Sequence, residues 1–257
     1  MTYRECAPSA KFFRRQARFT VDFLSRGIGI LTNLELYQSK SRYQRTETAA
    51  RPVGRGFYRD HFKRVLDVVL AILLLPFVLP LILALYLAVS FQGGSGLYSQ
   101  PRIGRGGEVF RFWKIRTMAP NAKALLKAHL EVDLAAAAEW SETQKLRHDP
   151  RITRFGAFLR ATSLDELPQI FNVLKGDMSF VGPRPFMPEQ AELYGEDRAY
   201  YDLRPGITGL WQVKSRNRGP FRDRIHYDEA YARSISLVGD LAILMRTTAQ
   251  IFRAEGC

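Results

Sequence analysis

The chain has 257 residues, 46% of them apolar, and a formal net charge of +13. That apolar fraction excludes a chain disordered throughout, and the length suits one large domain or a domain with an appendage. The charge calls for an anionic partner such as nucleic acid, lipid headgroups or phosphorylated substrates. Only two cysteines, Cys6 and Cys257, lie near opposite ends, which argues against a structural disulfide and suits a reducing compartment.

The positive charge is concentrated early: 14 basic and 5 acidic residues precede position 65. Phe12, Phe13, Phe19, Phe23 and Leu24 recur at roughly helical spacing with Arg14, Arg15 and Arg18 between them. Residues 1–57 therefore read as a basic amphipathic segment that either lies in a headgroup layer or packs on its own protein. Its polar end, residues 38–56 with Arg51-Pro52-Val53-Gly54, reads as a linker. No signal peptide is visible, because the first strong apolar run begins far beyond the usual position.

Residues 68–89 form 22 consecutive uncharged positions. A straight helix of that length rises ~33 Å, enough to cross a bilayer. Pro76 and Pro80 sit inside it, and each removes a backbone donor and favours a bend. The far flank carries Arg102, Arg105, Arg111, Lys114 and Arg116 against the single acid Glu108. Positive charge on both flanks favours keeping both on the cytoplasmic side. The expectation is a helix that enters one leaflet, breaks near Pro80 and returns, with a kinked full span as the alternative. A basic segment beside a membrane segment faces lipid, and no zinc spacing, heptad or RNA-binding aromatic motif supports nucleic acid as the partner.

Residues 97–118 read as strand, turn and strand, with Val109-Phe110-Arg111-Phe112-Trp113-Lys114-Ile115-Arg116 alternating apolar and basic. Residues 120–147 read as one Ala-rich helix with Leu125, Leu126 and Leu130 on one face, closed by Asp149-Pro150-Arg151. Residues 156–159 and 164–174 are expected as short helices, and 206–213 as a turn followed by a strand. Residues 223–253 read as helical with an apolar face of Leu237, Leu241, Leu244 and Met245. No internal repeat is present.

The chemistry concentrates in residues 163–185. Ser163-Leu164-Asp165-Glu166 fits a helix start in which Ser163 caps and Glu166 is its capping partner. Two carboxylates in a first turn also suit the helix dipole without any catalytic task. The same pair suits phosphate chemistry. Adjacent helical residues diverge, so one carboxylate can attack phosphorus while its neighbour holds Mg²⁺. Arg160 precedes the pair, Arg184 lies between Pro183 and Pro185, and Arg204 precedes Pro205-Gly206. Arginines on stiff backbone suit bidentate phosphate contacts.

The marks Phe62-Lys63-Arg64-Val65-Leu66-Asp67, Lys114-Ile115-Arg116-Thr117-Met118, Asp149-Pro150-Arg151-Ile152-Thr153, residues 162–185 and Arg204-Pro205-Gly206-Ile207-Thr208-Gly209 occur in the order found in bacterial sugar transferases. From about Tyr58 onward the chain resembles these monotopic polyprenyl-phosphate phosphoglycosyl transferases. The resemblance implies an α+β, mostly helical fold. Its expected parts are an N-terminal segment (1–57), a re-entrant membrane helix broken at proline (58–91) and a catalytic domain on the cytoplasmic face (92–257) of the bacterial inner membrane, with amphipathic interfacial helices. It implies transfer of a sugar-1-phosphate from a UDP-sugar to polyprenyl phosphate, with release of UMP. In that pattern Asp165 is the nucleophile and forms a covalent intermediate. Glu166 is associated with Mg²⁺, and Lys114, Arg160, Arg184 and Arg204 bind substrate.

Two departures accompany it. Leu79 precedes Pro80 where relatives often carry Ser, and residues 1–57 lack the four membrane spans of the larger subgroup. Residues 119–148 resemble the polysaccharide-initiating type, which favours galactose or glucose as the sugar. A homodimer through the C-terminal apolar face is a further expectation. The competing reading is a non-catalytic basic membrane scaffold.

Overall fold

The computed structural model describes residues 56–143, 146–194, 198–215 and 221–252. All but the last two residues of the expected N-terminal segment lie outside them. The described residues are mostly helical with short strands, an α+β arrangement, and belong to one unit spanning 47–257.

A π-helical turn, Tyr58–Phe62, leads into helix α1, Lys63–Ser90. Among the described residues α1 is the one helix long and apolar enough to cross a membrane. Pro76 and Pro80 lie inside it, and the expected break near Pro80 does not interrupt the helix. One stripe, Ala71, Leu75, Val78, Ile82, Leu85 and Val89, packs on the domain core, at the spacing of a single helical face. The remaining faces leave Ile72, Leu73, Phe77, Leu79, Leu81 and Leu83 exposed. Both ends are tied down. Asp67 accepts from the backbone N–H of Phe180 at 3.1 Å, and Arg116 donates to the carbonyl of Val89 at 3.1 Å.

Strands β1 (Leu97–Ile103) and β2 (Val109–Ile115) form the expected antiparallel pair, with Leu97 opposite Ile115 and Ile103 opposite Val109. The Ala-rich stretch is two helices, α2 (Ala122–Val132) and α3 (Leu134–Thr143). Asp133 divides them: its backbone is extended, and its carboxylate accepts from the N–H of Ala136 at 2.9 Å, so it ends one helix and starts the next. Thr153 caps α4 (Arg154–Ala161) by accepting from the N–H of Gly156.

Helix α5 (Gln169–Lys175) ends at Gly176, whose φ of +101° suits a helix terminus. Asn172, on α5, bonds β2 twice, accepting from the N–H of Trp113 and donating to the carbonyl of Arg111. Strands β3 (Ser179–Val181) and β4 (Gly206–Thr208) pair in parallel. Residues 206–213 therefore begin with the strand, and a helix, α6 (Leu210–Ser215), follows it. Helices α7 (Asp223–Ser234) and α8 (Leu237–Phe252) complete the domain.

The apolar face read on α8 lies mostly at the surface. Leu241 and Met245 are exposed, while Asp240, Ile243 and Leu244 face inward. Asp240 sets which side of α8 meets the core, because its carboxylate accepts from Tyr58, Lys63 and Tyr231 at 2.6–2.8 Å.

The β3–β4 contact requires glycine. A Cβ on Gly182 would meet the carbonyl of Arg204, and one on Gly206 or Gly209 would meet the backbone of Gly182. Backbone cannot yield as a flexible side chain does, so overpacking here carries its full cost. Gly206→Ala is expected to destabilise the domain by at least about 3 kcal/mol, read as a lowered thermal midpoint or failure to fold. An unchanged midpoint would contradict this packing.

Candidate active site

The acidic pair does not sit on the capping box expected for it. Ser163 has φ +57° and ψ +17°, and its side chain makes no cap bond. It is the one non-glycine residue with positive φ among those described. A left-handed serine costs ~1–2 kcal/mol, a strain that persists where surrounding structure imposes it. Residues Leu164–Glu166 form a single 3₁₀ turn, and α5 begins only afterwards, at Gln169.

Nor do the two carboxylates diverge. The ammonium of Lys114 donates to Asp165 Oδ2 at 3.2 Å and to Glu166 Oε1 at 2.7 Å. Lys114 is positioned by β2, whose neighbouring residue Trp113 is bonded to Asn172 on the helix just beyond the pair. The ring of Phe112 lies 5.5 Å from the Lys114 ammonium and 5.4 Å from the Arg102 guanidinium, favourable for both cations.

The environments of the two acids differ. Burial raises the pKa of Asp165, opposed by Lys114 and reinforced by the charge of Glu166. Burial also works against the charge of Glu166, but Lys114 and Arg184 outweigh it and hold Glu166 below the usual carboxylate range. Neighbouring acids with pKa values pushed apart are suited to different tasks.

The other expected residues divide. Arg184 lines a cavity of about 20 Å³ with Lys114, Glu166, Arg102 and Gln169, enough for about one water. Asp165 does not line it and is 5% exposed. Arg160 donates to Thr117 Oγ1 at 2.9 Å, and its charge reaches Asp165. Arg204 turns elsewhere: its Nε donates to the carbonyl of Gly176 at 3.1 Å, and it lines a different cavity.

Three residues escaped sequence reasoning. Arg102 follows Pro101 on β1 and donates to the carbonyl of Pro185 at 3.4 Å. Burial, then the charge of Arg184, lowers its pKa to about 10, so it remains cationic at neutral pH. Gln169 is fully buried, and its side-chain amide helps Lys114 and Arg184 hold Glu166 ionised. Its place three residues after Glu166 was the available signal. Arg224 donates to the carbonyl of Arg184 from within the rings of Phe186, Tyr194, Trp211 and Phe221, 4.8–5.7 Å away. Those residues are dispersed in sequence, so no local pattern marks them.

The residues fit Mg²⁺ in one specific respect. Two carboxylates converge on a position now held by a cation, beside the buried amide of Gln169 that lines the same small cavity. Mg²⁺ takes one or two protein carboxylates and completes its shell with phosphate oxygens and water. Among the described residues no group of three or more His, Cys, Asp or Glu side chains offers a fuller protein cage.

Residues 58–254 match the family described as bacterial sugar transferase. The chain belongs to that family. Among its relatives is an uncharacterized sugar transferase of Haemophilus influenzae, 48% identical over 195 residues, or 76% of this chain and 41% of the relative. An undecaprenyl-phosphate galactose phosphotransferase of Salmonella typhimurium is 45% identical over the same share of each chain. The exopolysaccharide production protein ExoY of Sinorhizobium fredii is 41% identical over 210 residues, 81% of this chain and 91% of the relative. The chain thus spans about two-fifths of the first two relatives and nearly the full length of the third.

In this sugar transferase, Lys114→Met leaves Asp165 buried beside Glu166 and removes the nearest charge lowering its pKa. An acid with a raised pKa is ionised only above a higher pH, so activity that needs its carboxylate is lost earlier on acidification. The acidic limb of the pH–rate profile of Lys114→Met is expected to move to higher pH, with the maximal rate falling about 10²-fold. Initial rates across pH measure both; an unmoved limb would separate Asp165 from the acid-sensitive step.

Proposed function

We propose that the chain is a membrane-bound phosphoglycosyl transferase. It moves a sugar-1-phosphate, of a hexose such as galactose or glucose, from a UDP-sugar to undecaprenyl or another polyprenyl phosphate. The product opens the membrane phase of exopolysaccharide, capsule or O-antigen assembly. The observation that carries this reading is the pair of adjacent, differently tuned carboxylates held by Lys114 among the cations of the β1–β2 and Pro183-Arg184-Pro185 segments. The Salmonella relative, named for a phosphotransfer to undecaprenyl phosphate, supports the same chemistry.

Asp165 is the nucleophile in this reading. A desolvated carboxylate with a raised pKa is the more reactive of the two once ionised. Its oxygen forms a bond to the β-phosphorus of the donor as the bridging oxygen–phosphorus bond breaks and UMP departs with the electron pair. An oxygen of polyprenyl phosphate then attacks the same phosphorus, and the Asp165 carboxylate is released. Glu166, kept ionised, would hold Mg²⁺ with Asp165 or Gln169 nearby; the ion, when bound, offsets phosphate charge. Arg184 and Arg102 bring further positive charge to the transferred group, and Arg224 fixes the backbone of Arg184. Arg160 steadies the Asp165 environment through its charge.

Asp165→Asn is expected to abolish UMP release from UDP-sugars with undecaprenyl phosphate. It is also expected to melt at or above the wild-type temperature at neutral pH. A carboxyl with a raised folded pKa binds more protons folded than unfolded, so its ionised form costs stability above its unfolded pKa. Wild type incubated with donor alone should gain one hexose phosphate on Asp165 by peptide mass spectrometry. An adduct on another side chain would overturn the nucleophile assignment.

In the membrane, α1 is read as re-entrant, turning back through a bend at Pro76 and Pro80 that leaves the helical run continuous, with the catalytic domain on the cytoplasmic face. Its exposed middle, the two internal prolines and the basic flanks support this. In a Cys6→Ser, Cys257→Ser background, Phe57→Cys and Val132→Cys, both at strongly exposed positions, should label from the same side of sealed vesicles. Labelling from opposite sides would establish a full crossing.

A further inference from the structure

The larger cavity of the domain, about 410 Å³, shares no lining residue with the small cavity at Glu166. Arg59, Lys63, Arg64, Arg105 and Arg204 line it, against two acids, Asp67 and Asp202. Part of this charge has structural work. Lys63 pairs with Asp240 at 2.6 Å, and Asp67 is engaged by the N–H of Phe180. Arg64 donates to the carbonyls of Val173 and Leu174, and Arg204 to that of Gly176, so both cap the C-terminus of α5.

Capping leaves two things unexplained. A guanidinium has five N–H donors; Arg204 spends one of them on the cap and Arg64 donates through two nitrogens. Arg105 is exposed on the turn between β1 and β2, and its side chain makes no hydrogen bond or ion pair among the described residues. The cations also crowd one another. Beyond burial, the charges of Arg105 and Arg64 depress the pKa of Arg204. Like charges gathered in a concave wall raise a potential that an anion relieves, and arginine forks match phosphate oxygens.

The setting indicates where that phosphate comes from. Lys63 and Arg64 are the first residues of the apolar helix α1. Phe57, Phe62 and Val65, all exposed, lie beside them in sequence. A basic cluster at the start of a membrane segment, with apolar side chains next to it, suits a headgroup in the cavity and a hydrocarbon chain outside it.

We propose that this cavity is a second anion site, separate from the acidic pair, that holds the phosphate of a lipid. The inference does not depend on the chemistry at Asp165.

The test uses the full chain in neutral detergent and native mass spectrometry, with phosphatidylglycerol, undecaprenyl phosphate and inorganic phosphate as separate probes. Arg105→Glu, at an exposed position, and the double variant Arg105→Gln, Arg204→Gln are compared with wild type and with Asp165→Asn. Lipid retention should fall about tenfold or more in the Arg105 variants, as expected for losing one charge-assisted contact, and persist in Asp165→Asn. Retention of both lipids supports a general headgroup site; retention of undecaprenyl phosphate alone supports an acceptor site. Unchanged retention in Arg105→Glu, or parallel loss in Asp165→Asn, overturns the proposal. Binding of inorganic phosphate as tight as that of either lipid overturns its lipid-borne character.

Discussion

Lys114 holds together two carboxylates that could not otherwise share their position. Asp165 is buried, Glu166 is its neighbour, and two such charges without a counter-ion would repel in a medium that screens poorly. Removing the ammonium would leave both carboxylates without a counter-charge, a loss that for an enclosed pair costs ~3–5 kcal/mol. The ammonium therefore has to be placed accurately, and the surrounding fold does this. β1 pairs with β2 along seven positions, Asn172 binds β2 to α5, and Phe112 lies against the lysine side chain. Sheet, helix and acidic turn are thus locked into one register by contacts that run from Leu97 to Asn172.

A second constraint brings the remaining cations to that register. The Gly182, Gly206 and Gly209 backbones are packed so closely that no side chain fits between them. This draws the segment carrying Arg184 alongside the one carrying Arg204. Yet the two arginines, one just after β3 and one just before β4, line different cavities. The domain divides its positive charge between two concave surfaces, one at the acids and one at the start of the apolar helix.

The legible parts of the sequence were those in which local pattern and final structure coincide. Alternation over 109–115, turn residues at 104–107 and the unbroken apolar run of α1 each specify their element without distant help. The Asp165-Glu166 pair and Arg184 stood out because their residue types are unusual in their surroundings. The differences arose where a competing local bond or a distant contact outweighed the pattern. Ser163 has the composition of a helix cap, but the turn it enters takes it into the left-handed region. Leu241 and Met245 read as part of one apolar face, but which side of α8 meets the core is set by three donors converging on Asp240. Asp133 interrupts a favourable alanine run because its own carboxylate offers the next helix a start. The aromatic enclosure of Arg224 exists only after residues 186–224 have folded.

Pro76 and Pro80 have a consequence for the medium around α1. Each lacks the N–H that would bond four residues back, which leaves the carbonyls of Ile72 and Pro76 without their helical donors. In water such oxygens are solvated at no cost. In hydrocarbon each is a polar group transferred without a partner, at a cost of several kcal/mol. A lipid-embedded α1 would be drawn toward a depth where headgroup moisture reaches that turn, so the bilayer around it should be locally thinned and wet.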